Sequence, residues 1–470
     1  MKKKRLVRIS KEPEVPKEQF NNWMRYVVQS SMDLKEMEAL LYLQKMQRAW
    51  TQKAAKEWLI AKTGAYNIIG RLRNTGLMIE VGEEGGAKLY SLLASDEIRK
   101  WLSRYGGENM KLSTEEAMRE YQDVVLRLKT EYEFFVKNVR EDDVEEWISQ
   151  IHSIGDIVEY VKSIMGDKLY MDALLPIIQQ YSIANVPIYS SANPERRINQ
   201  TGFSLAYFGE PGTGKTFATD DLLRGKEEKG VPPHGMIGRL RYAQGMTPKM
   251  FIAILEAYQD YPVDWVIPEF KDFFAYRGMV EKLKLVMERR EVRDETRTAT
   301  IGPYKVTSFF IVNYNTQVNK GRWKSTINDP NFNAVEDRML CKLFLNTHER
   351  RKLIWENMKR IAAGKVDYYL AEPLRKHMTY TYHLLNKQNA RVIVDEDDFI
   401  RIGDDIAEAI NEHNAPVSLR IIDRALQIAA SSSLVRFLAE RENEIWIDRT
   451  SLELAENFVM DEIEARAKRL

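Results

Sequence analysis

Cysteine is almost missing from this chain: Cys341 stands alone among 470 residues. One thiol can form neither an internal disulfide nor a zinc site built from several thiolates, and six scattered histidines do not replace it. Apolar runs are short as well, none approaching the ~18 residues a membrane-spanning helix needs. The start, Met1-Lys2-Lys3-Lys4-Arg5, lacks the apolar stretch of a signal peptide. An intracellular, cytoplasmic protein with no membrane partner is therefore expected. Neither sign of charge dominates, since 70 Lys and Arg face 69 Asp and Glu. Such a balance argues against extensive contact with nucleic acid, but it is an average. Residues 1–100 carry 19 basic against 12 acidic side chains, or +7, and the remainder carries −6. Any nucleic-acid contact has to be local.

What is present is a globular composition, 44% hydrophobic and 30% charged, with length for two to four domains. Residues 1–20 read as a basic tail. In residues 21–93, Asp33 caps an apolar-periodic segment, Thr51 opens a second short helix through Trp58, and Thr63 opens a third that ends at Gly76. Two strand-like runs follow, Leu77–Val81 and Ala87–Leu92, joined by Gly82-Glu83-Glu84-Gly85-Gly86. Three helices and a hairpin resemble a winged helix-turn-helix, a module that binds DNA or another protein. If it binds duplex DNA, the third helix presents Arg71 and Arg73 to a groove and the wing adds Lys88. Residues 94–170, charged and helical in spacing, read as a connector. Pro187–Gln200, with its Pro, Ser and Asn, reads as a loop.

The most specific motif is Gly209-Glu210-Pro211-Gly212-Thr213-Gly214-Lys215-Thr216, a full Walker A pattern. It follows an apolar run suited to a buried strand (Phe203–Phe208) and precedes a helical segment (Phe217–Leu223), as phosphate chemistry requires. Glycines let backbone N–H groups close around the phosphates of ATP. Lys215 reaches the β- and γ-phosphates, and Thr216 offers its hydroxyl to Mg²⁺.

A P-loop ATPase needs a second strand bearing carboxylates. Asp264-Trp265-Val266-Ile267-Pro268-Glu269-Phe270 is an apolar run ending in an acid, and Glu269 is the candidate to polarise the attacking water. Pro268 stands where an Asp normally holds the hydration shell of Mg²⁺. Asp264 or Asp272 could substitute, or Thr216 and the phosphates suffice; otherwise hydrolysis is slow. A helix over Met279–Glu291, a polar hairpin over Val292–Tyr304 and a strand over Val306–Val312 follow, the strand ending in Asn313-Tyr314-Asn315.

This order of elements resembles an AAA+ ATPase, and most of all the minichromosome-maintenance (MCM) helicase group, whose second motif ends Asp-Glu-Phe where this chain has Pro268-Glu269-Phe270. The likeness covers roughly residues 170–470. It implies an α/β fold: a core with a parallel sheet and flanking helices over 171–350, then a helical lid over 351–470. It also implies that Asn315, with Asn313 second, is the sensor-1 residue. Arg297 of the hairpin is implied to contact DNA, with Arg293 and Lys305 close by. In Asn333-Ala334-Val335-Glu336-Asp337-Arg338, Arg338 resembles the arginine finger that completes a neighbouring subunit's site, with Arg350 the next candidate. Arg420, in Val417–Leu426, resembles the sensor-2 arginine aimed at nucleotide. A finger acting in trans implies a homo-oligomeric ring, a hexamer by the resemblance. The front of the chain departs from that group, which carries an oligonucleotide-binding barrel and usually a zinc module there.

Three functions follow as expectations. One is an ATP-driven, ring-forming DNA motor, a replication helicase whose hairpins move along DNA in a central channel. Another is a DNA-binding initiator or regulator that loads partners without unwinding, favoured by Pro268. The last is an ATPase that remodels protein.

Overall fold

Apolar residues that run on without alternation mark a strand covered on both faces, and Ser204–Gly209 is such a strand, all six of its residues buried. It belongs to a computed structural model that describes residues 78–84, 87–92, 124–274, 278–295, 300–319, 322–327, 329 and 331–469. The chain divides between Glu120 and Tyr121 into two compact units. Of the first, the hairpin expected as a wing is described: β1 (Met78–Glu84) runs antiparallel to β2 (Ala87–Leu92), with Met78 opposite Leu92 and Glu83 opposite Lys88. β1 extends into the expected five-residue turn as far as Glu84, and β2 spans the expected Ala87–Leu92. The three expected helices, with Arg71 and Arg73, lie outside the described residues, as does the basic tail.

The second unit opens with helices α1 (residues 124–138), α2 (Glu141–Gln150), α3 (Ile154–Met165) and α4 (Tyr170–Ser182). Ser153 caps α3 through Gly155 N, Asp156 returns the bond to the cap backbone, and Gly166 at φ 81° ends the helix. The first three of these helices were expected as a connector; instead Trp147, Ile151, Ile157 and Ile164 are part of the main core. The expected loop at 187–200 is a hairpin, β3 (Pro187–Ser190) with β4 (Asn193–Gln200). Only Ile188 of β3 is buried, so no local alternation marks the strand. Its partner on the other side, β13 (Arg391–Val394), comes from some 200 residues downstream.

Next come β5 (Ser204–Gly209), the phosphate-binding loop, and a wide helical turn, Phe217–Asp221, continued by Leu222–Arg224. The chain then forms β6 (Leu240–Tyr242), α5 (Pro248–Leu255), β7 (Val263–Ile267), α6 (Met279–Met287), β8 (Val292–Glu295), β9 (Thr300–Tyr304), β10 (Ser308–Asn319), β11 (Arg322–Ser325), α7 (Phe332–Glu336) and β12 (Met339–Phe344). The main sheet has the order β12-β5-β10-β7-β6, and every adjacent pair along that path is parallel. Successive residues alternate between its two faces: Leu205 and Tyr207 join the core shared with α3 and α4, while Ala206 and Phe208 join the one shared with α5 and α6. The fold is thus mixed α/β with helices on both faces of a parallel sheet. β10 runs well past the expected end at Val312 and turns back through β11, a second hairpin the sequence reading missed.

The C-terminal elements are α8 (His348–Ala362), α9 (Ala371–Gln388), β13, α10 (Glu396–His413), α11 (Arg420–Ser433), α12 (Phe437–Glu440), β14 (Glu444–Trp446) and α13 (Arg449–Ala467). Asp448 caps α13 through Ser451 N. This last helix is tied to the sheet. Glu462 accepts from Cys341 N at 2.8 Å, Ala465 O accepts from Trp323 Nε1 at 2.7 Å, and Arg466 pairs with the fully buried Glu336 at 2.6 Å. Arg469 and the Tyr314 hydroxyl also bond Glu336, so this buried carboxylate is well partnered. No helix among the described residues is long and apolar enough to cross a membrane.

Candidate functional site

Parallel strands present their carboxyl ends on one side of a sheet, and ligand sites form there. β10 lies between β5 and β7, with Asn313 opposite Tyr207, Asn315 opposite Gly209 and Val312 opposite Ile267. The order therefore brings the loop after β5, the acid after β7 and both asparagines of β10 to one edge. They line a single cleft of about 810 Å³, which includes Pro211 to Phe217, Pro268, Glu269, Asn313, Tyr314 and Asn315.

The loop's backbone explains its glycines. Gly212 and Gly214 sit at φ 76° and 89°, a region where a side chain is strained. A β-carbon on Gly209 would meet the Phe344 carbonyl at 2.1 Å, because β12 packs directly against the loop's entrance. Lys215 is buried, and its Nζ donates to the carbonyls of Gly209 at 3.0 Å and Glu210 at 2.7 Å. Burial, helped by the Arg350 charge, pulls its ammonium down to about 8, against the opposing pull of Glu269 and Glu210. Backbone turned to positive φ around an inward lysine fits a phosphate chain.

Asn313 is buried. Its Nδ2 donates to Thr219 Oγ1 at 2.7 Å, and Thr219 donates on to Lys215 O at 3.0 Å. The Asn313 Oδ1 is buried with no hydrogen-bond partner among the described residues. Asn315, less buried, is the better placed of the two to meet a ligand, while Asn313 fixes β10 to the turn after the loop. Glu269 is exposed in the turn that follows β7.

For Mg²⁺, the residues fit in part. The Thr216 hydroxyl is exposed on the cleft. Of the two acids named as substitutes for the residue replaced by Pro268, neither lines the cleft. Asp264 points to the opposite end of the core, where it accepts from Gln179 at 3.0 Å and Gln180 at 2.6 Å of α4. Its burial raises the carboxyl to about 7, against those two bonds. Among the described residues no group of three His, Cys, Asp or Glu side chains could hold a metal. Thr216 and the phosphate oxygens are then the ligands on hand, with Glu269 nearby.

Two contributors, the apolar face of α8 and Asp172, were not anticipated from the sequence, and a third, Arg350, was anticipated in another role. α8 lies along the loop, with Ile354 3.6 Å from where a Gly214 β-carbon would be. Ile354, Met358 and Ile361 form an apolar wall with Met165 and Leu169, suited to a flat base. Asp172 of α4 and Arg350 of α8 pair at 2.5 Å, and Arg350 Nε donates to the Thr213 carbonyl at 3.0 Å. Arg350, named above as a second finger, thus sits at its own chain's loop. Asp172 carries no local signal, being 178 residues from its partner.

Arg338 and Arg420 are brought together, but not to this cleft. Arg338 donates to Glu288 Oε1 from Nε at 2.8 Å, and Arg420 approaches the same oxygen at 3.7 Å and Asp337 at 3.2 Å. Arg290 also pairs with Glu288, at 3.0 Å. Arg420, expected to aim at nucleotide, does not line its own chain's cleft, because α11 begins beside α7 and the end of α6. Glu288 feels burial, which raises its carboxyl, but bonding and charge from Arg338, then Arg290 and Arg420, leave it below the usual range.

The expected hairpin is β8 with β9, Val292 opposite Tyr304. Arg293 and Lys305 are exposed at its base, and Lys282 Nζ donates to Arg293 O at 2.9 Å. Arg297 lies outside the described residues. No family model matches the chain, and no curated protein matches it.

Proposed function

We propose that this chain is an ATP hydrolase of the AAA+ kind, MCM-like, acting as a ring-forming motor on DNA. The observation that carries the reading is the sheet order. The strand that carries Asn315 lies between the strand that leads into Lys215 and the strand that leads into Glu269, so a phosphate-holding lysine, a water-polarising acid and a polar sensor share one cleft. In that cleft Lys215 and the loop's N–H groups hold the phosphates of ATP, and Thr216 with the phosphates holds Mg²⁺, which neutralises charge on the leaving group. Glu269 takes the proton of the water, and Asn315 orients it. Arg338 and Arg420 lie side by side at Glu288, outside their own chain's cleft, which supports a role for the pair at a neighbour's phosphates in a homo-oligomeric ring.

The lack of a second cleft carboxylate at the position of Pro268 favours one other reading, a DNA-binding initiator or regulator that uses slow hydrolysis as a switch. One experiment separates the two. Purified protein is given ATP, Mg²⁺ and a tailed DNA duplex, with Lys215→Ala as the control. A motor separates the strands and hydrolyses ATP faster with DNA. Stimulated hydrolysis without separation supports the regulator, and no hydrolysis in either case overturns both.

A further inference from the structure

β10 does not end where the sheet ends. Asn315, opposite Gly209, is its last residue paired with β5, yet the strand continues to Asn319 and returns as β11. Gln317 lies opposite Lys324 and Asn319 opposite Arg322, with Val318 opposite Trp323 between them. Directly opposed residues share a face of an antiparallel pair, so this hairpin has two unlike faces.

One face is seated on the protein. Trp323 is fully buried, its ring 4.4 Å from that of Phe208, and Arg469 lies over it at 5.1 Å. The other face presents Gln317, Asn319, Arg322 and Lys324, all exposed. From Thr316 to Ile327 the sequence holds three basic residues and no acidic one, in a chain whose charges otherwise balance. Neither Arg322 nor Lys324 has an ion-pair partner among the described residues. Two free cations alternating with two amides, with no carboxylate among them, is the side-chain set that meets phosphate and sugar oxygens.

We infer that this face of the β10–β11 hairpin is a second nucleic-acid contact, gripping the phosphodiester backbone of a single strand through Arg322 and Lys324. The inference rests on the proposed DNA function and adds a surface to it. It also adds a route from the cleft. Alternation along β10 puts residues 313, 315, 317 and 319, all amides, on one side of the strand. The Asn315 carbonyl accepts from Thr326 N at 3.1 Å and from Thr326 Oγ1 at 2.8 Å, which ties the cleft residue to the returning arm. A shift of Asn315 on nucleotide binding reaches Arg322 and Lys324 directly, without passing through the β8–β9 hairpin.

The test is fluorescence anisotropy of a labelled single-stranded oligonucleotide over a salt titration, with a non-hydrolysable ATP analogue present. Arg322→Ala with Lys324→Ala should lower affinity and flatten the slope of log K against log salt by about 1.4, or ~0.7 for each lost phosphate contact on a single strand. Melting temperature checks the fold; if the alanine pair melts early, Arg322→Gln with Lys324→Gln keeps length and polarity and gives the same reading. If wild type binds and the double variant binds equally with an unchanged slope, this face is overturned while the DNA function stands. If wild type binds no oligonucleotide even at low salt, both fall.

Discussion

Arg338 and Arg420 converge on one carboxylate, Glu288, the residue that follows α6 and precedes the β8–β9 hairpin. Neither arginine lines its own chain's cleft. An arginine that serves a neighbour must lie away from its own phosphates. Arg338→Ala is therefore expected to keep ATP binding and to lose hydrolysis by about 10³-fold or more. Mixing it with Lys215→Ala decides the geometry. Each variant alone is inactive, but a mixed ring holds interfaces where an intact Lys215 meets an intact Arg338, so activity returns. A mixture as inactive as its components would sink the trans assignment.

Glu269 is exposed at the cleft's edge, one turn past a strand buried throughout. Such a side chain is free to hold a water and adds little to the fold. Glu269→Gln should leave the melting temperature and ATP affinity in place while hydrolysis falls by about 10²- to 10⁴-fold. Single-turnover hydrolysis with radiolabelled ATP reads this directly. Turnover at the parent rate would mean that another acid of the cleft, Asp172, Asp221 or Glu228, is the base.

The parts of the site written in contiguous residues were legible in the sequence. The loop from Gly209 to Thr216, the acid that ends the 264–269 run and the asparagines after Val312 all sit at the carboxyl edge of the main sheet. Parts that depend on distant pairing were not legible. β3 has one buried residue and depends on β13 for a partner. The β10–β11 hairpin hid behind a run with no apolar alternation, since its one large anchor, Trp323, is held by α13. Asp264 looked like a ligand because it begins an acid-bounded run. Strand geometry puts it five residues, or about 16 Å at ~3.3 Å per residue, from Glu269, facing the glutamines of α4. Arg420 was placed by likeness alone, and the packing of α11 sets it beside Glu288 and Asp337, outside its own chain's cleft.

Arg350 offers a contrast with Arg338. It holds the loop by a backbone carbonyl, Thr213 O, and is itself held by Asp172. A residue that positions the loop affects every nucleotide that the loop binds. Arg350→Ala should weaken ATP and ADP in parallel, each by about tenfold for one charge-assisted hydrogen bond worth ~1.5 kcal/mol. Titration calorimetry with both nucleotides measures the two losses. A loss confined to ATP would instead make Arg350 a direct reader of the γ-phosphate.

Asp264 makes stability depend on pH in a direction opposite to that of most carboxylates. Its folded value, about 7, lies above the ~3.9 of an unfolded chain, so between those values the folded state holds the proton more tightly. The stabilisation is complete below pH ~4 and is lost as pH rises through about 7. A shift of that size corresponds to about 4 kcal/mol as an upper bound, because burial in the core disfavours the charge while Gln179 and Gln180 offset only part of that penalty. Asp264→Asn cannot titrate. Urea unfolding at a series of pH values should therefore show the wild type losing stability from pH 5 to 8 relative to the variant, whatever the variant's own starting stability. Parallel curves for the two proteins would mean that Asp264 is ionised in the fold throughout, and that the glutamine donors of α4 outweigh its burial.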